Sequence, residues 1–279
     1  MVAARTGTGK CGVVRRSGVT GPRARETVLV TGASAGIGAE LARCFARDGA
    51  GLVLVARRAD RLRALADELR ARHRSEVTVL PADLAEPGAG ERITADLAER
   101  GIGVDVLVNN AGFGGRGRLV ELDPARQLDM VQVNVAALVD LSLRLLPAMV
   151  ARGRGGILNV GSQAGFLPGP RMAVYYATKA FVLSFTEALA EELRGTGVTA
   201  TLLAPGPVAT EFADIAGMND SKVLRLGAAD AARTAAAGHR AFRRGDVSVI
   251  PELAGRLGVA ALRLAPRSLV RRMVNALQG

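Results

Sequence analysis

The chain has no tryptophan, two tyrosines and two cysteines among 279 residues, and aromatic residues make up 3% of it. A core with so few rings must be built from valine, leucine, isoleucine and alanine, which suits a parallel sheet covered by helices better than a β-sandwich. Cys11 and Cys44 cannot form a disulfide framework, and Cys44 falls on an apolar helical stripe, so a reducing, cytoplasmic compartment is expected. His73 and His239 stand apart from each other and from cysteine, and no metal site is expected. No uncharged apolar stretch reaches the roughly 18 residues a membrane span needs, and the basic, glycine-rich start lacks the apolar run of a signal peptide.

Acidic residues are scarce at both ends. Residues 1–26 carry six basic side chains against Glu26 alone, and residues 253–279 carry five arginines and no acid. The formal net charge of +11 therefore sits in two tails, and residues 27–252 are nearly neutral. Such a distribution argues against a basic groove for nucleic acid, and no nucleic-acid partner is expected.

What the chain does contain is an alternation. Seven β-branched or leucine-rich runs, TVLVTG, GLVLVAR, VTVLPAD, DVLVNNAG, GGILNVGS, VTATLLAPG and DVSVIP, are separated by segments of helical period. The helices are expected at Gly36–Arg47, Arg61–Arg72, Glu91–Arg100, Pro124–Arg152, Tyr175–Arg194 and Ala228–Arg244. Strands alternating with helices imply an α/β fold: a doubly wound, seven-stranded parallel sheet of the Rossmann type, in a single domain over 27–252. Residues 1–26 read as a basic, disordered extension and residues 253–279 as a basic, apolar helical one.

Ligands of such sheets bind beyond the carboxyl ends of the strands. After the first strand comes TGASAGIG, with Gly32 for a tight turn, Gly36 for close approach to a pyrophosphate and Gly38 for packing of helix on sheet. Ser34 and Ile37 belong to the same cradle. The second strand ends in Ala56, where an acid would favour NAD, and continues with Arg57 and Arg58, which can meet the 2′-phosphate of NADP. Of the two, Arg58 is the one read as facing solvent. Asp83, followed by Leu84, ends the third strand and can accept from an adenine amino group. The fourth ends in Asn109, Asn110, Ala111 and Gly112, where small residues let the backbone pass a ribose, although either asparagine can instead cap loop groups.

TGASAGIG, NNAG, Asn134 in VNVAAL, NVGS, YYATK and PGPVAT occur in the order and approximate spacing of the short-chain dehydrogenase/reductase family, and the chain resembles its compact TGxxxGxG/YxxxK branch over roughly residues 27–252. The resemblance implies that Tyr175 is the general acid/base, Lys179 its partner and a ribose ligand, Ser162 the carbonyl-binding hydroxyl and Asn134 an organiser of a water-linked proton path. It also implies that Pro205, Gly206, Val208 and Thr210 contact the nicotinamide end, and that the chain forms a homodimer or homotetramer. A lysine beside a tyrosine is expected to lower the phenol's pKa from about 10. Helix geometry places Tyr175 about 40° and Tyr176 about 60° from Lys179, which scarcely separates them. The family's YxxxK spacing selects Tyr175 and leaves Tyr176 as packing or pocket lining. One departure is Gly161 before Ser162, where the family often shows two serines.

The segment after PGPVATEF, residues 213–230, is long and polar enough for a substrate lid. The two C-terminal helices, separated by Pro266, are expected to cover the substrate pocket or a neighbouring subunit in preference to an anionic membrane surface. The expected function is NADP(H)-dependent interconversion of a ketone or other carbonyl with a secondary alcohol. An NAD-dependent alcohol dehydrogenase and a non-catalytic dinucleotide-binding regulator are the alternatives, and the intact Ser162, Tyr175 and Lys179 set weighs against the latter.

Overall fold

The computed structural model describes residues 25–218, 227–262 and 265–278. Its strands are β1 (Thr27–Thr31), β2 (Gly51–Ala56), β3 (Val77–Pro81), β4 (Val106–Asn109), β5 (Gly155–Val160), β6 (Val198–Leu203) and β7 (Ser248–Val249). They form one seven-stranded sheet in the order β3-β2-β1-β4-β5-β6-β7. Every pairing is parallel, with register fixed by partners such as Val28 with Leu52 and Val106. The expected fold is thus the observed one.

Because successive side chains point to opposite faces, each central strand feeds two cores. Val28, Val30, Val106, Val108 and Leu158 pack with Leu41 and Phe45 of α1 (Gly36–Arg47), Leu62 and Leu69 of α2 (Ala59–His73) and Phe242 of α8 (Ala231–Arg244). Leu29, Leu107 and Ile157 pack on the other face with Ile93 and Leu97 of α3 (Ala89–Glu99), Leu141 and Met149 of α5 (Ala137–Arg152) and Leu189 of α6 (Ala173–Glu192). Cys44 is buried in the first core.

The expected helix over Pro124–Arg152 is present as three pieces. Asp123 caps α4 (Pro124–Val131) through a 3.1 Å bond accepted from the Ala125 amide, and a π-turn over Gln132–Ala136 leads into α5. This run is long and apolar enough to cross a bilayer by composition, but its buried residues face the sheet and the loop after β4. Beyond β6 lie α7 (Phe212–Ala216) and, after residues 219–226 of the expected lid, which lie outside the described residues, α8. The C-terminal segment forms α9 (Leu253–Leu262) and α10 (Arg267–Gln278).

Residues 1–24 of the expected extension lie outside the described residues, whereas Arg25 and Glu26 are tied to the body. Arg25 Nε donates to the Gly49 carbonyl at 2.8 Å, and Glu26 meets Arg243 at 2.7 Å. The domain therefore gathers in two residues that local composition assigns to the tail.

Candidate active site

Thr31, at the end of β1, organises the first part of the site. Its Oγ1 donates to the Val108 carbonyl at 3.2 Å and accepts from the amides of Asn110 and Ala111, both at 3.0 Å. Asn110 Nδ2 returns bonds to the carbonyls of Thr31 and Gly32 at 2.9 and 3.2 Å. The side chain of Asn110 thus fastens the glycine turn to the end of β4, which Ala111 and Gly112 follow. Thr31 opens the TGASAGIG motif, but the sequence assigns it no role.

The glycines are needed where they stand. Gly32 and Gly36 adopt φ values of 64° and 55°, a region open to glycine and costly for other residues. A Cβ on Gly38 would lie 2.3 Å from Asn110 Nδ2 and 2.4 Å from the Gly32 carbonyl oxygen, so helix and turn meet at backbone distance. A Cβ on Gly36 would lie 2.9 Å from Thr210 Cγ2, which brings the loop after β6 against the turn.

Around this turn opens a cavity of about 770 Å³. Gly32, Ser34, Gly36 and Ile37 line it from β1–α1, Arg57 and Arg58 from the end of β2, and Asp83 and Leu84 from the end of β3. Asn110, Ala111 and Gly112 line it from β4, and Pro205, Gly206, Val208 and Thr210 from the loop after β6. Gly38 and Asn134 lie behind the wall. A cradle that only glycines leave open, the N-terminal amides of α1 and two guanidinium groups fit an anionic dinucleotide.

The two arginines differ from expectation. Arg58 is the engaged one: Nη2 donates to Ser34 Oγ at 3.1 Å and meets Glu211 Oε2 at 2.8 Å. Arg57 is 71% exposed, with Asp83 Oδ2 at 3.8 Å. Arg58 is the N-cap residue of α2, and from there its side chain runs back to the glycine turn, a direction that neighbouring sequence does not encode. Arg61 also meets Glu211, at 3.1 Å. Asp83 Oδ1 accepts from the Ala85 amide at 3.0 Å, so one oxygen shapes the loop and the other faces Arg57.

The second part of the site lies at the ends of β5 and α6. On α6, Tyr175, Thr178, Lys179, Val182, Thr186 and Leu189 are buried, one stripe with three- and four-residue spacing. Tyr175 and Lys179 both reach the cavity wall, as does Ser162. Ser162 Oγ accepts from the Ala164 amide at 3.1 Å, donates weakly to the Pro205 carbonyl at 3.4 Å and lies beside the Tyr175 hydroxyl. Lys179 Nζ donates to the Val160 carbonyl at 2.8 Å and lies 5.9 Å from the centre of the Tyr175 ring.

The expected lowering of the tyrosine by the lysine is not seen. Burial pushes the Tyr175 hydroxyl up to about 12, with the neighbouring Ser162 acting in the opposite direction, and pushes the Lys179 ammonium down to about 8. Desolvation penalises each charged form, and here it outweighs the attraction that sequence spacing suggests.

Asn134 occupies the π-turn, 2% exposed. Its Oδ1 accepts from the Phe113 amide at 3.0 Å, while Nδ2 donates to the Phe113 carbonyl and to Thr178 Oγ1, both at 3.0 Å. A Cβ on Gly112 would lie 3.0 Å from Asn134 Oδ1 and 3.6 Å from Lys179 Nζ, so Gly112 lets the three elements converge. Asn109, in contrast, leaves the site: Nδ2 donates to Ser142 Oγ at 3.2 Å and Asn159 Oδ1 at 2.9 Å within the core.

Three contributors are given no role by the sequence motifs. Glu252 Oε2 accepts from Gln163 Nε2 at 3.0 Å and the Gly206 amide at 3.3 Å, linking the turn after β5 to the loop after β6. Glu211 neutralises Arg58. Gln278, on α10, lines the cavity and donates from Nε2 to Tyr176 Oη at 2.9 Å. The C-terminal helix thus covers part of the cavity, one of the two places expected for it.

Comparison with known proteins agrees with this geometry. A sulfoacetaldehyde reductase from Chromohalobacter salexigens is 40% identical over 194 residues, covering 67% of this chain and 74% of that protein. A short-chain dehydrogenase from Sphingobium yanoikuyae, solved with NADPH, superposes with a TM-score of 0.78 at 36% identity, covering 88% of this chain and 94% of that one. A ketone-specific alcohol dehydrogenase from Comamonas testosteroni, described as specific for bulky-bulky ketones, gives a TM-score of 0.73 at 32% identity, covering 86% and 93%. The family model for short chain dehydrogenase matches residues 26–219, and the chain belongs to that family of oxidoreductases.

Proposed function

We propose that the chain is an NADP(H)-dependent oxidoreductase that interconverts a ketone and a secondary alcohol, with Tyr175 as general acid/base. The observation that carries this reading is the position of the Tyr175 hydroxyl. It lies beside Ser162 and opens on the same cavity as the glycine turn and the Arg57–Arg58 pair.

In reduction, Tyr175 gives its proton to the carbonyl oxygen, and Ser162 donates a hydrogen bond to that oxygen as negative charge develops on it. Lys179, held by the Val160 carbonyl, keeps a positive charge near the phenol and within reach of a ribose. Asn134 holds the Phe113 backbone and Thr178 in place and organises the proton path behind them. The bound dinucleotide supplies or accepts the hydride. Arg58, Arg57 and Ser34 hold the 2′-phosphate, Asp83 and Leu84 the adenine end, and Pro205, Gly206, Val208 and Thr210 the nicotinamide end.

An apolar wall made by Phe113, Leu167, Met172, Phe212 and Met218 favours a bulky ketone, in keeping with the Comamonas relative. Residues 27–252 act as the catalytic domain, and Val274, Leu277 and Gln278 of the C-terminal extension act as part of its substrate wall. The site of action is the cytoplasm. Exposed Leu128, Val131, Leu143 and Val150 on α4 and α5, and the stacked pair Phe181 and Phe185 on α6, support a homodimer or homotetramer.

Nicotinamide fluorescence, free of interference because the chain has no tryptophan, measures cofactor choice directly. NADPH is expected to bind more tightly than NADH, and equal dissociation constants refute the preference. A panel of bulky ketones and acyl thioesters then tests the reaction; no NADPH consumption with any of them refutes the activity.

A further inference from the structure

Among the described residues lining the cavity, Lys179 and Gln278 are the fully buried polar side chains, and Gln278 stands in an apolar wall away from Tyr175 and Ser162. There α10 brings Gln278, 1% exposed, to Tyr176. Arg126 and Asp129 also reach the cavity, but both are exposed at its rim.

Both partners are held firmly. Arg116 Nε donates to the Gln278 backbone carbonyl at 3.0 Å and Nη2 donates to the same oxygen, a guanidinium closing the C-terminus of a helix. Val270 and Val274 of the same helix are buried. The Tyr176 ring lies on the backbone of Gly169, where a Cβ would sit 2.1 Å from Tyr176 Cγ. Its edge meets the Tyr175 ring with centroids 6.1 Å apart.

The hydrogen bonding of the pair is incomplete in a specific way. Tyr176 Oη accepts from Gln278 Nε2, which leaves the tyrosine's own proton free to be donated. Gln278 Oε1 is buried and has no partner among the described residues, an arrangement that native structures seldom leave unresolved. The terminal amide torsion is soft, so this oxygen can turn to a donor in the cavity. One donor beside one acceptor in an apolar wall matches a hydroxyl group, which both accepts and donates.

We propose that Tyr176 Oη and the Gln278 carboxamide form a second polar subsite that recognises a hydroxyl on an otherwise apolar ketone, at a distance from the reacting carbonyl. The substrate class is then a bulky hydroxyketone, and α10 is the element that selects it. This rests on the ketone reductase reading above.

The test compares trans-2-decalone with a panel of its monohydroxylated analogues in the full chain and in its Tyr176→Phe and Gln278→Met variants, each checked for folding by circular dichroism. The wild type is expected to favour at least one analogue by about tenfold in kcat/KM, expressed mainly in KM, because a site built for a hydroxyl discriminates against its absence. Both variants are expected to bring that ratio close to one. A latch that merely positions the helix alters parent and analogue alike and leaves the ratio intact; the same ratio in all three proteins overturns the subsite. Calorimetric titration with the corresponding alcohols separates the two readings. Preferential binding without turnover keeps the subsite and refutes the reductase, whereas turnover with no preference for any analogue refutes the subsite alone.

Discussion

Arg58 Nη2 lies 2.8 Å from Glu211 Oε2, so the arginine proposed to meet a 2′-phosphate is shared with a carboxylate from the loop after β6. Glu211 is held below the usual carboxylate range by its bond to Arg58, opposed by burial, with Arg58 and Arg61 adding attraction. In that proposal a 2′-phosphate and this carboxylate compete for one guanidinium. Glu211→Gln is expected to tighten NADPH binding by about two- to fivefold, the scale of an exposed ion pair. Arg58→Ala is expected to weaken NADPH about tenfold and NADH little. Fluorescence titration checks both, and an equal loss for the two cofactors counts against a phosphate role for Arg58.

Tyr175→Phe removes the proposed acid and keeps the ring that packs against Phe212, with centroids 5.3 Å apart. The expected loss in kcat is about a thousandfold, within the usual range for a positioned acid. NADPH affinity should change far less than kcat. Steady-state kinetics on any accepted ketone decides, and activity near the wild-type level excludes Tyr175 as the acid.

Gly38→Ala places a carbon 2.3 Å from Asn110 Nδ2 and 2.4 Å from the Gly32 carbonyl oxygen. The carbonyl belongs to the backbone and cannot swing aside, so the turn must shift. A fall in Tm of about 5 °C is expected from strain of this kind, together with weaker NADPH binding. Gly258→Ala, on α9 with nothing within 4 Å of the added carbon, is the control; its Tm should hold or rise slightly. Equal melting of the two variants would remove the close-approach argument.

Lys179 gives stability a pH dependence of known sign. Unfolded, it keeps its proton up to about 10.5; folded, it gives it up at about 8. Between those values the unfolded chain binds the extra proton, so this residue's contribution to stability rises with pH. Tyr175 acts oppositely at higher pH: it ionises near 10.0 unfolded and about 12 folded, so stability falls across that window. Urea denaturation of wild type and Lys179→Met between pH 7.5 and 10 is expected to show the wild type gaining on the variant as pH rises. Parallel curves would mean that burial does not depress the lysine. The chain has only two other lysines, Lys10 and Lys222, so labelled-lysine NMR can follow the titration directly.

Strand runs such as TVLVT and GLVLVA identify the sheet because burial on both faces demands uninterrupted apolar residues. The glycine turn, NNAG, Ser162 and PGPVAT are legible for a related reason, since each sits where a strand stops, whereas Asn134 and YYATK lie on helical segments and are read from family spacing. Side-chain direction is another matter. Arg57 and Arg58 are adjacent and chemically identical, and only the path of α2 determines which reaches Ser34. Asn109 and Asn110 diverge in the same way, one into the core and one onto the glycine turn. Gln278 lies 102 residues from Tyr176 and 162 from Arg116, so no local pattern could pair them. The tyrosine–lysine spacing was visible, but the depth of burial that reverses the expected pKa shift belongs to the packed structure.

The π-turn at Gln132–Ala136 is a phase slip in an otherwise regular helix. With one residue removed there, α4 and α5 could run through as a single uninterrupted α-helix. That deletion would also rotate everything upstream by about a quarter-turn and draw Asn134 away from Phe113 and Thr178. Regularity and the site therefore compete for the same five residues, so an attempt to stabilise this helix by making it more ideal would work against the polar contacts that it carries.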